Sequence, residues 1–165
     1  MKSTFTTILF LFSGLIYTQD SLDELLKKFN NESIPYISVT ELKEIQDSVI
    51  LLDAREKEEF EVSHIPKAKL IGYNQFMIQN VIQQNIQKND TIVVYCSLGV
   101  RSEDISEKLK QAGYLYVYNL YGGIFEWKNK DFVVVNSKEQ PTEEIHACSA
   151  QWAKWLLKGK KVYTN

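Results

Sequence analysis

The sequence predicts an α/β protein, with a mainly parallel five-stranded sheet covered by helices on both faces. Three observations predict it. The apolar runs are short and continuous rather than alternating, as strands buried on both faces require. Helical patterns separate these runs, which is the order that parallel crossovers produce. A composition of 44% hydrophobic and 24% charged residues over 165 positions suits one core, not two.

The elements follow in order. Lys2 precedes an apolar stretch from Ile8 to Tyr17, interrupted only by Ser13 and Gly14. This is shorter than the roughly 20 residues that span a bilayer, and it reads as a secretory signal peptide over residues 1–18, cleaved near Thr18–Gln19. The expectation is an exported protein, periplasmic or secreted. Residues 19–33 form an N-terminal helical segment, with Leu22, Leu25, Leu26 and Phe29 at helical spacing.

The main domain spans residues 34–136. Its strands are read at Tyr36–Val39, Val49–Leu52, Ala68–Ile71, Ile92–Tyr95 and Tyr114–Leu120, the last rich in aromatic and β-branched residues. Thr40 is taken as the cap of the helix after the first strand. Further helices are expected over Lys57–Val62, Gln75–Ile86 and Ser102–Ala112. In the last of these Ser102 is the expected N-cap, Glu103 and Asp104 suit the first turn, Ile105, Leu109 and Ala112 form the buried stripe, and Gly113 stops it. Residues 137–165 form a tail. Its start continues the polar stretch Asn136–Glu144, read as a linker; Ser149–Lys158 then reads as a helix with Trp152, Trp155 and Leu156 on one face, stopped by Gly159. That helix either docks on its own domain or offers Lys154, Lys158, Lys160 and Lys161 to a protein partner or a membrane surface.

A net charge of −2 and a pI near 5.8 give no basic footprint, so small molecules or proteins, not nucleic acids, are the expected partners. The two cysteines, Cys96 and Cys148, make at most one disulfide, so an ordinary core must hold the fold together.

Chemistry in open parallel sheets collects beyond the carboxyl ends of the strands. Two motifs fall there, Asp53-Ala-Arg55 and Cys96-Ser97-Leu98-Gly99-Val100-Arg101-Ser102. A thiol becomes a useful nucleophile as thiolate, and its ordinary pKa of about 8.5 falls beside a cation or a helix N-terminus. Cys96 has both at hand. Gly99 lets the loop curl so that its N–H groups face a common centre, a ring that suits an anion. A strand-end cysteine standing alone would more often be structural; the glycine and arginine that follow argue for a site.

Three blocks then resemble one family. Cys96-x-x-Gly99-x-Arg101-Ser102 is similar to the active-site loop of rhodanese-like sulfurtransferases. Leu51–Ala68 is similar to that family's strand, Asp-x-Arg, acidic-aromatic pair and His-Ile-Pro stretch, with Ser63 and Lys67 standing where glycines are usual. Gly113–Trp127 is similar to its closing strand, paired glycines and tryptophan. The likeness covers roughly residues 34–136 and leaves the tail outside.

The resemblance implies a rhodanese-like three-layer fold, a monomer, and a persulfide mechanism with no cofactor or metal. Cys96 would be the catalytic residue, taking sulfur from a small donor such as thiosulfate and passing it to a thiol or cyanide. Ser97, Leu98, Gly99, Val100, Arg101 and Ser102 would bind the donor and the outer sulfur, with Arg101 also lowering the thiol pKa. Related phosphatases on this fold carry five residues between cysteine and arginine; here there are four, a smaller ring that suits sulfur. A non-catalytic domain that binds an anion or partner through the same loop is the alternative of a different class.

Other residues are given supporting or structural parts. Asp53 and Arg55 are expected to pair and steady the loop after the second strand, and His64 to make a structural hydrogen bond. Gly122 and Gly123 should form a tight turn with Trp127 beneath. Cys148 would resolve an oxidised or persulfidated Cys96 if the tail folds near the loop.

Overall fold

The computed structural model describes residues 21–163; the expected signal peptide lies outside them. The central sheet has five parallel strands: β1 (Tyr36–Ile37), β2 (Ile50–Asp53), β3 (Lys69–Leu70), β4 (Thr91–Tyr95) and β5 (Tyr116–Leu120), in the spatial order β1-β5-β4-β2-β3. The continuous apolar run of β4 has a direct structural meaning. Val93 and Tyr95 pack into one core with Leu42, Ile124, Phe125 and Trp127, while Ile92 and Val94 pack into a second with Val81, Ile105 and Leu109. One strand therefore serves two cores, as the period of two dictates.

The helices supply the opposing walls. On one side lie α2 (Val39–Ile45) and α6 (Gly123–Asn129); on the other lie α4 (Ile78–Ile82) and α5 (Arg101–Gln111). A short α3 (Lys57–Val62) follows β2, and α1 (Leu22–Phe29) opens the described chain. Ser21 and Glu24 close a capping box at the start of α1, which satisfies N–H groups the helix itself cannot.

Several boundaries differ from the sequence reading. Ser38, not Thr40, caps α2: its Oγ accepts from Glu41 N–H at 3.2 Å, while the Glu41 carboxylate accepts the Ser38 N–H at 2.9 Å. The capping box two residues earlier outcompetes a lone threonine. Helix α4 occupies only the middle of the expected 75–86 segment, since Asn85 takes a positive φ of 58° and turns the chain. Helix α5 begins at Arg101, with Val100 at the cap position, so Ser102 is inside the helix and not its cap.

The tail departs most. The Asn136–Glu144 stretch is no open linker: β6 (Val134–Val135) pairs antiparallel with β7 (Pro141–Thr142), and β8 (Glu144–His146) pairs in parallel with β9 (Lys160–Val162). The expected helix over 149–158 is reduced to a single 3₁₀ turn at Ala153–Trp155. Tertiary contacts outweigh the helical spacing. Leu156 is drawn into the core, Trp152 packs against Phe29 with ring centroids 5.6 Å apart, and the Asn129 side chain grips both Trp155 O (3.0 Å) and Leu157 N–H (2.8 Å). Lys158 and Lys160 pair with Asp131 and Glu144. Of the two fates considered, the tail docks on its own domain.

The register sets up the site. Asp53 and Tyr95 are cross-strand partners, so the chains leaving β2 and β4 emerge side by side from one sheet edge. There Asp53 and Arg55, both fully buried, form the expected ion pair: Arg55 Nη2 lies 2.6 Å from Asp53 Oδ2, and the same nitrogen donates to Ser63 O at 2.7 Å. The Arg55 guanidinium also stands 5.6 Å from the centre of the Tyr95 ring. Removing one partner of such a pair leaves a buried charge uncompensated. Asp53→Ala is therefore expected to lose about 3–5 kcal/mol in a urea-unfolding measurement; a loss below about 1 kcal/mol, the worth of a surface pair, would contradict this role.

Candidate active site

The thiol sits where the sequence places it, at the mouth of α5 just past β4. Gly99 N–H donates to Cys96 Sγ at 3.1 Å, and the Ser102 hydroxyl lies 3.5 Å from the same sulfur. The loop is shaped from outside. The carbonyls of Cys96 and Ser97 accept from Ile124 N–H (3.0 Å) and Phe125 N–H (3.2 Å) at the start of α6. The Gly99 carbonyl accepts from the side chains of Asn119 (2.8 Å) and Asn30 (2.9 Å). Across a planar trans peptide the N–H points opposite the carbonyl, so the N–H groups of those three peptides face away from these donors.

Glycine is required at two points of this construction. Gly99 takes φ 114°, which turns the loop back on the sulfur. At Gly123 a Cβ would stand 2.3 Å from the Cys96 carbonyl oxygen, so only glycine lets α6 dock on the loop. The expected tight turn at Gly122-Gly123, with buried Trp127 in α6, is thereby the backing of the thiol loop.

The electrostatics favour thiolate. Burial pushes the Cys96 thiol up, but the Arg101 charge, the Ser102 hydroxyl and the Gly99 and Ser102 N–H groups together bring it below its ordinary value. Arg101 itself is not an open clamp for an anion. Its guanidinium is closed on Glu59 through Nη1 (2.7 Å) and Nη2 (2.8 Å), and Nη2 also reaches Ser97 Oγ at 3.1 Å. Arg101 thus lines the cavity as one half of an ion pair, and its charge lowers the Cys96 thiol. Glu59 is nearly buried; burial raises its carboxyl, and Arg101 overrides this to hold it at about 2.

A cavity of about 180 Å³ opens above the sulfur, lined by Cys96, Ser97, Leu98, Val100, Arg101, Cys148 and Trp152. Cys96 is only 2% exposed, and it forms part of this wall. The tail thus supplies two residues of the wall, and His146 stands behind them with Nδ1 3.7 Å from Glu59 Oε1. Burial pushes the His146 imidazole down, toward the neutral form.

The predicted residues are sorted by this geometry. Cys96, Ser97, Leu98, Val100 and Arg101 line the cavity; Gly99 and Ser102 bond to the sulfur; Asp53 and Arg55 stay behind as support. His64 makes the structural contacts expected of it, to Phe60 O (3.1 Å) and Glu139 (3.0 Å). Sequence reasoning missed Glu59, Asn119, His146 and Trp152. Glu59 could have been found in the acidic-aromatic pair before Phe60; Asn119 is a lone polar residue in an apolar strand, and its Oδ1 accepts from Ser102 Oγ at 2.7 Å. His146 and Trp152 left no signal, because the tail's path was misread.

Residues 38–130 match the model of the rhodanese-like domain. The chain belongs to the rhodanese-like family. A tRNA uridine(34) hydroxylase from Aster yellows witches'-broom phytoplasma is 38% identical over 50% of this chain and 28% of its own length. Bacillus subtilis YrkF, named as a candidate sulfur carrier protein, is 34% identical over 61% of this chain and 55% of its own. The chain thus spans about a quarter to a half of these relatives. Among solved structures, a rhodanese-related protein from Thermoplasma volcanium superposes with TM-score 0.54 at 26% identity, covering 61% of this chain and 97% of that one.

The Arg101–Glu59 pair makes two opposite expectations. Arg101→Ala should raise the Cys96 pKa by about one unit or more, and Glu59→Gln, which removes the neighbouring negative charge, should lower it further below the wild-type value. The pH profile of alkylation at Cys96 reads both. Unchanged midpoints in both variants would contradict the electrostatic account.

Proposed function

We propose that this chain is a sulfurtransferase that moves sulfane sulfur from a small donor such as thiosulfate to a thiol or cyanide through a persulfide on Cys96. The observation that carries this reading is the Gly99 N–H on Cys96 Sγ, at 3.1 Å, in the wall of a cavity that admits a small donor. In the first step the Cys96 thiolate attacks the outer sulfur of thiosulfate. The donor's S–S bond breaks, sulfite leaves with its electron pair, and a new S–S bond forms on Cys96. In the second the acceptor takes the outer sulfur and Cys96 leaves as thiolate, so no electron or cofactor is consumed.

What the chain contributes is the fixed surroundings of the sulfur. The Gly99 N–H and its neighbours in a loop fixed by outside donors would stabilise the anionic outer sulfur with little reorganisation. Against the upward push of burial, the Arg101 charge helps bring the Cys96 thiol below its ordinary value. A name among the relatives that describes sulfur carriage supports the reading; the hydroxylation named for others remains with proteins of which this chain spans about a quarter. A net charge of −2 supports small-molecule or protein acceptors over nucleic acid.

The test is to supply thiosulfate and cyanide and follow thiocyanate. Turnover is expected in the wild type and should fall at least about a thousandfold in Cys96→Ser, the scale seen when a catalytic nucleophile is removed. Equal rates in the two proteins would exclude Cys96 as the nucleophile. Absence of turnover with thiosulfate, polysulfide and an organic persulfide alike would instead favour a domain that binds through this loop without reacting.

A further inference from the structure

The second cysteine shares the cavity of the first. Cys96 is 2% exposed, whereas Cys148 is exposed, and both belong to one cavity wall. One guanidinium nitrogen links Cys148 to the residue after Cys96: Arg101 Nη2 donates to Ser97 Oγ at 3.1 Å and stands 4.0 Å from Cys148 Sγ.

The position of Cys148 is built by the tail. The pairing of β8 with β9 carries the chain past Ala147, whose N–H donates to Val162 O at 2.9 Å. Cys148 then takes a left-handed φ of 63°, its N–H bonds to His146 Nδ1 at 3.2 Å, and Ser149 N–H returns to Ala147 O at 2.7 Å. Left-handed backbone is unusual for a residue other than glycine, asparagine or aspartate and persists only where its surroundings impose it. The tight reversal puts the thiol at the cavity's rim.

We propose that Cys148 is the first acceptor of the sulfane sulfur, relaying it from the buried thiol to the exposed one. The relay presupposes the Cys96 persulfide proposed above. The Cys148 thiol gives its proton to water, and its thiolate attacks the outer sulfur of the persulfide. A Cys148 Sγ–S bond forms as the Cys96 Sγ–S bond breaks, and Cys96 leaves with the electron pair as thiolate. One S–S bond replaces another, so neither oxidant nor reductant is needed.

The surroundings set the direction. Cys96, stabilised as thiolate by Arg101, Ser102 and Gly99, is the better leaving group, and the thiol with the lower pKa leaves faster. Partial burial pushes the Cys148 thiol up, so less of it is thiolate while each thiolate is the stronger nucleophile, and the relay speeds up as pH rises. The transfer ends with sulfur on an exposed residue, open to acceptors too large for a cavity of about 180 Å³.

The experiment loads the full chain with thiosulfate, removes excess donor, traps thiols and persulfides by alkylation and maps them by mass spectrometry. Most of the trapped sulfur is expected on Cys148 in the wild type, on Cys96 in Cys148→Ser, and on neither in Cys96→Ser. Sulfur found only on Cys96 in the wild type would overturn the relay and leave the persulfide reading standing. A Cys96–Cys148 disulfide with released sulfide would also overturn it, since that records attack on the inner sulfur. No sulfur on Cys96 in either the wild type or Cys148→Ser, with thiosulfate or polysulfide, would remove the persulfide and the relay together.

Discussion

The whole site depends on where three carbonyl groups point. A loop that ends a strand has as many acceptors as donors, and left to itself it presents both to anything in its centre. Here the carbonyls of Cys96, Ser97 and Gly99 are taken by Ile124, Phe125, Asn30 and Asn119, from α6, the N-terminal segment and β5. A carbonyl bonded outward fixes its peptide plane, and the N–H of that plane must face the other way. These outside bonds fix the loop's path between β4 and α5, and within that path the Gly99 N–H reaches the Cys96 sulfur. This explains why glycine is needed at Gly123, far from the thiol in sequence: any side chain there would push α6 off the loop.

The charges follow the same logic of constraint. Arg101 reaches toward the sulfur but is closed on Glu59, so the site carries a neutralised pair rather than a free cation. The thiol has the positive end of that pair nearby, while the cavity itself, walled by Leu98, Val100 and Trp152, stays largely apolar. A fixed pole in a poorly solvated site stabilises charge without reorganising as charge develops. Behind it, the Asp53–Arg55 pair ties the end of β2 to the Ser63 carbonyl, which keeps α3, and with it Glu59, in register.

Much of this was legible in the sequence, and the failures have physical causes. The five strands were readable because their apolar runs are continuous, the mark of burial on two faces. The Cys96 loop and the Asp53–Arg55 pair were readable because parallel strands deliver their following loops to one edge. Ser102 was misjudged as a helix cap because local spacing cannot show that Asn119, seventeen residues on, claims its hydroxyl. The tail was misread for a related reason. Its tryptophans and Leu156 have helical spacing, but all three pack against one core of the domain with only a 3₁₀ turn among them, Trp152 also meets Phe29, and β8 pairs with a strand beyond them. Local pattern could not reveal that Trp152 and Cys148 complete the cavity.

The most direct measurement of the central claim is a crystal structure of the chain after brief exposure to thiosulfate. The account predicts one additional sulfur bonded to Cys96 Sγ, its outer face within hydrogen-bonding distance of loop N–H groups, in a crystal of Cys148→Ser, where the sulfur has no second thiol to reach. An unmodified Cys96, or an outer sulfur turned toward the loop's carbonyls and away from its amides, would contradict it.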